Sequence, residues 1–147
     1  MTNGKAFVDT NVLLRAMVPQ MTMHAASEAL LQTMWGDQVE LWISRQIIRE
    51  YLVQVTHPNT FAVPLTIEQV LGQVEMIQSL FQVADDTSEV TAQLLALIET
   101  HPTRGKQIHD ANVVATMLAN GIDTLLTINV EDMRRFEDKI RLLAPTP

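Results

Sequence analysis

KAFVDTNVLLRAM, residues 5–17, is the stretch from which the fold can be read. It joins a strand-like run, Lys5 to Asp9, to a polar triplet, Asp9-Thr10-Asn11. An apolar, helix-compatible run, Val12-Leu13-Leu14, follows at once. A strand that passes directly into a helix is the first half of a βαβ unit. The same stretch places a carboxylate at the tip of the strand, with apolar residues on both sides. A buried ionised group is costly unless something compensates it, so the rest of the chain must supply that partner.

Outward from this segment the chain continues to alternate strand-like and helical runs. HAASEALLQTMW, residues 24–35, reads as a helix ended by Gly36, and VELWIS, residues 39–44, as a strand. Ser44 caps the next helix, whose apolar stripe is Ile47, Ile48, Tyr51, Leu52 and Val55, with Pro58 beyond its end. Thr66 and Gln69 form a capping box for a helix from Ile67 to about Phe81, and Leu65 is placed to staple onto Val70. A short strand is expected near Phe81 to Ala84. A further helix starts after Asp86, with Glu89 in the capping relation, and stops before Pro102. GKQIHDANVVATMLANG reads as a helix closed by Gly121, DTLLTIN as a strand, Glu131 to Phe136 as a helical turn, and KIRLLA as a last strand. The expectation is one domain over residues 1–147, a three-layer α/β/α arrangement.

The chain has 147 residues, 47% of them hydrophobic, enough to bury a sizeable core. It has no cysteine, which excludes disulfides and thiolate metal sites. Asp9 and Arg15 interrupt what would be the apolar region of a signal peptide, and no run approaches a membrane span. A soluble cytoplasmic protein is expected. The net charge of −7, from 17 acidic and 10 basic residues, argues against a broad basic nucleic-acid surface. It suits a basic protein partner or a site that holds cations.

The acids fall at telling places. Parallel sheets bind ligands beyond the C-terminal ends of their strands. Asp9 sits at such an end, Glu50 two turns into the helix after the second strand, and Asp110 in an early helical turn. Asn129 and Asp132 follow DTLLTI. Taken singly, each has a plainer reading as a cap, a solvated helix residue or a turn former. As an ordered set they are expected to meet on one rim if the sheet is parallel. Two carboxylates ~4 Å apart repel by about 4 kcal/mol at an effective dielectric of 20. Such a set persists only with protons or a cation, and oxygen ligands alone select Mg²⁺ or Mn²⁺.

FVDTNVLLRAM, SRQIIREYL, GKQIHDANVVATMLANGIDTLLTIN and NVEDMRRF together resemble the PIN domain family, and within it the VapC-like toxins of prokaryotic toxin–antitoxin pairs. The resemblance implies a central parallel sheet of about five strands and a metal-dependent ribonuclease. It carries Asp9, Glu50 and Asp110 over as catalytic and metal-binding acids, with Thr10, Asn11 and Thr127 as supporting polar residues. The fourth acidic position of the family falls on Asn129 here, with Asp132 as the alternative ligand.

Among nearby cations Arg15, Arg45, Arg49, Arg104 and Lys106, the last two are best placed for RNA phosphates, on the loop entering the Asp110 helix. His109 reads as structural, and the other histidines lack ligand spacing. Met17, Met21, Met23 and Met34 beside Trp35 read first as core. They also suit an apolar groove for the tail of a basic antitoxin, the partner that the resemblance implies. A homodimer through the helix Ile67 to Phe81 is expected as well. Two alternatives remain: a HAD-like phosphatase, which lacks its second Asp because residue 11 is Asn, and a non-catalytic PIN-type interaction module.

Overall fold

A computed structural model describes residues 4–147. Its centre is a five-stranded sheet in the order β3-β2-β1-β4-β5, with every neighbouring pair parallel. The strands are β1 (Lys5–Val8), β2 (Glu40–Ser44), β3 (Gln82–Ala84), β4 (Thr124–Leu126) and β5 (Arg141–Leu143). β1 lies in the middle because Ala6, Phe7 and Val8 are buried on both faces, as an inner parallel strand requires. Phe7 pairs with Trp42 on one side and Leu125 on the other.

Seven α-helices connect the strands among the described residues: α1 (Thr10–Met17), α2 (His24–Gly36), α3 (Arg45–Thr56), α4 (Ile67–Leu80), α5 (Ser88–Thr100), α6 (Gln107–Ala119) and α7 (Val130–Met133). A 3₁₀ turn, Arg134–Phe136, follows α7. The chain runs outward from β1 to β3, then returns past β1 to β4. Right-handed crossovers therefore place α1 to α4 on one face and α5 to α7 on the other. Consistent with this, α1 packs on α2 and α3, and α5 packs on α6.

Local chemistry explains most helix ends. Ser44 accepts from the Ile47 N–H, and the Thr66–Gln69 capping box is closed in both directions. Gly121, at φ 67°, ends α6, with Ile122 N–H donating to Met117 C=O and Gly121 N–H to Leu118 C=O. Two expected boundaries are corrected. The first strand ends at Val8, and Asp9 instead caps α1 by accepting from the Thr10 N–H. α5 is capped by Thr87, whose hydroxyl accepts from Val90 N–H, in place of the Asp86–Glu89 relation. No helix among the described residues is long and apolar enough to cross a membrane.

Candidate active site

The reversal of chain direction falls between β1 and β4, which is where an open parallel sheet leaves a crevice. Asp9 stands at its mouth. Its N–H still donates to Leu126 C=O at 2.9 Å, so its backbone stays joined to the end of β4. Its side chain is only 7% exposed. Oδ1 accepts from the Thr10 N–H at 2.8 Å, and Oδ2 accepts from the Thr127 hydroxyl at 2.8 Å and the Asn11 amide at 3.4 Å. Thr127 is fully buried and its hydroxyl oxygen accepts in turn from the Asn129 N–H. Asn11 Oδ1 accepts from the Ile128 N–H. The first turn of α1 and the end of β4 are thereby sewn together around one carboxylate.

Burial raises the Asp9 pKa from 3.8 to about 6. The Thr127 and Thr10 hydrogen bonds oppose that shift, and the charges of Glu50 and Asp110 add to it. Glu50, half-buried on α3, accepts from the Thr10 hydroxyl at 2.7 Å and from the Gln46 amide at 3.1 Å. Asp110 lies in the first turn of α6, where the helix dipole favours a negative charge. Its pKa is nonetheless raised, first by burial and then by the charges of Asp132 and Glu50, with Arg135 and His109 opposing.

A cleft of about 740 Å³ takes in Asp9, Thr10, Asn11, Glu50, Asp110 and Asn129. Three of its walls come from α1, α3 and α6. Lys106 also lines it, whereas Arg104 does not; Arg15 and Arg49 provide the other cations of the rim. Arg45 is turned away, paired with Asp85. Asp132 is exposed and outside the lining, yet its charge reaches Asp110. His109 lines the cleft as well. Sequence reading passed over Gln46, Asn112 and Arg135. Only Gln46 carried a signal, one helical turn before Glu50.

A sequence model of the PIN domain matches residues 5–131. The chain belongs to the PIN domain family. No curated protein sequence matches it closely enough to count as a relative. Among solved structures, the PIN chain resembles VapBC-1 from nontypeable Haemophilus influenzae, with a TM-score of 0.69 at 16% identity, over 95% of this chain and 97% of that one. It also resembles VapBC2 from Rickettsia felis bound to a promoter DNA fragment, with a TM-score of 0.68 at 17% identity, over 97% and 99%. Mycobacterium tuberculosis VapC20, a sarcin-ricin loop cleaving toxin, gives a TM-score of 0.66 at 14% identity, over 88% and 93%. These likenesses establish the PIN fold.

The donors present can be matched against a divalent ion. Among the described residues, none of the ion pairs includes Asp9, Glu50 or Asp110. Neither are three acidic or imidazole side chains drawn tightly enough together to enclose an ion as they lie. Burial is the main cause of the upward pKa shifts of Asp9 and Asp110, and the neighbouring like charges add to it. An all-oxygen set at this looser spacing fits Mg²⁺ or Mn²⁺ better than a dehydrated ion, because Mg²⁺ keeps several waters and needs only one or two carboxylates. The donor chemistry fits.

Proposed function

We propose that this PIN-family protein works as one domain, a divalent-metal-dependent endoribonuclease, and that it is the toxin member of a cytoplasmic toxin–antitoxin pair. The observation that carries the reading is Asp9: a carboxylate 7% exposed, at the switch point of a parallel sheet, facing Glu50 and Asp110. Among the described residues no ion pair neutralises that group of charges, and a hydrated Mg²⁺ or Mn²⁺ would.

Asp9 and Asp110 would hold the ion, with Glu50 as a further ligand or as the base that takes a proton from the attacking water. When bound, the ion lowers the pKa of water and stabilises charge on the attacked phosphate. Thr127, Thr10 and Asn11 keep Asp9 oriented by the hydrogen bonds already described. Lys106, Arg49 and Arg15 on the rim are suited to neighbouring phosphates, and Arg104 is left with a lesser part. Asn129 occupies the fourth acidic position as a neutral oxygen donor, and Asp132 supports the negative field at Asp110. Asn129 also favours the second reading, a non-catalytic PIN module; metal affinity separates the two.

Two partners are proposed. A basic antitoxin segment would match the net charge of −7. It would lie in an apolar groove of about 290 Å³ lined by Met17, Leu31, Trp35, Met76 and Leu80. A second copy of this chain would cover the exposed face of α4. The deciding assay is cleavage of single-stranded RNA by purified protein with Mg²⁺ or Mn²⁺ and again with chelator. Metal-dependent internal cleavage supports the reading, provided Asp9→Asn and Asp110→Asn abolish it. Equal cleavage by either variant overturns it.

A further inference from the structure

We infer that Gln46, itself oriented by Asn112, is a positioning residue that sets Glu50 and the Asp110 turn at a fixed separation; this rests on the metal-site reading above. Gln46 is 7% exposed, near the start of α3. Its Nε2 donates to Glu50 Oε2 at 3.1 Å and to His109 C=O at 2.9 Å. Its Oε1 accepts from Asn112 Nδ2 at 2.8 Å. Both N–H donors of the amide and one acceptor direction of its oxygen are therefore assigned. The two partners of Nε2 only accept, and the Asn112 NH₂ only donates, so the reversed amide would break all three bonds.

The consequence is a rigid bridge. α3 packs chiefly on α1 and α4, and α6 on α5, so the two acid-bearing helices meet through few other groups. His109, whose carbonyl Gln46 holds, is the residue immediately before Asp110. One buried amide thus fixes a carboxylate on α3 and the backbone that carries a carboxylate on α6. An amide also does this without changing the charge. A lysine would cancel Glu50 and compete with the cation, and a carboxylate would add to the repulsion and lack the donors.

The test compares wild type, Gln46→Leu, Asn112→Ala and the double variant, measuring Mn²⁺ affinity by calorimetry and kcat and KM on RNA. Loss of such a supporting bond weakens metal binding or activity by about 10–100-fold. Gln46→Leu should show that loss in Mn²⁺ affinity and in kcat, with KM for RNA unchanged. Asn112→Ala should move both in the same direction, and the double variant should be no worse than Gln46→Leu. Circular dichroism confirms folding, and if Gln46→Leu does not fold, Asn112→Ala alone decides. Folded variants with wild-type Mn²⁺ affinity overturn the inference and leave the proposed function standing. A wild type that binds no Mn²⁺ overturns both. One that binds Mn²⁺ but cleaves no RNA overturns the ribonuclease reading, and the affinities alone then decide the role of Gln46.

Discussion

Asp9 concentrates the energetics of the molecule in one side chain. Its pKa rises from 3.8 to about 6 on folding, which corresponds to a penalty of about 3 kcal/mol at pH 7. Because the folded protein holds this proton to higher pH than the unfolded chain does, the contribution of Asp9 to metal-free stability is most favourable below about pH 4. It then declines as pH rises through about 6. Asp9→Asn should therefore melt higher than wild type at pH 7 without metal, by up to about 3 kcal/mol, with the gain fading towards pH 4. Chemical denaturation across that range checks it; a variant less stable than wild type at pH 7 would contradict it. Thr127→Val tests the other side of the same bond. It removes a buried donor to Asp9 and the acceptor of the part-buried Asn129 N–H, so a loss of about 1–3 kcal/mol is expected in thermal melts. Asp9 and Glu50 were legible in the sequence because each comes soon after a strand, and Asp110 because it stands in the first turn of its helix. Gln46 was passed over although it lies one helical turn before Glu50, because a lone amide on a helix reads as surface. Its partner carbonyl lies 63 residues away.

At the scale of elements, sequence was most informative where the deciding interaction is local. The α4 capping box spans three residues, and the αL glycine after α6 needs only its own backbone. The strands were read too long, since a strand stops where its neighbour stops, which is a property of the sheet. Asp9 shows this: its N–H reaches Leu126, yet its side chain already belongs to α1. The start of α5 was misplaced by one residue because Asp86 and Thr87 are both good cap formers. Burial of Val90 and Leu97 fixes which of them faces the open N–H groups. Thr87→Ala should accordingly cost about 1 kcal/mol in a melt, and Asp86→Ala no more than about 0.5 kcal/mol. The reverse order would mean that the cap has been assigned to the wrong residue.

For the whole molecule, the parallel sheet followed from alternation of elements, but the strand order, the central place of β1 and the surfaces that face other molecules did not. α4 buries Val70 and Ile77 yet leaves Ile67 and Leu71, which lie outside the groove given to the antitoxin, 67% and 61% exposed. That face is the reason for proposing a two-fold dimer, whose interface should bury more than ~1,000 Å². Light scattering at micromolar concentration should give about twice 16.5 kDa, falling to the monomer value in Leu71→Glu. A wild-type monomer would leave the face to an antitoxin. The central claim, that the acids gathered at the switch point exist to hold a divalent ion, has a more direct test. It is calorimetric titration of Mn²⁺ into the protein at about pH 5.5, in two buffers of different ionisation heat. There Asp9 is largely protonated, so binding must expel its proton. The account predicts saturable binding with net proton release in wild type, and loss of both in Asp9→Asn. Wild-type protein that takes up no Mn²⁺, or an Asp9→Asn variant that binds it with the same affinity and proton release, would contradict it.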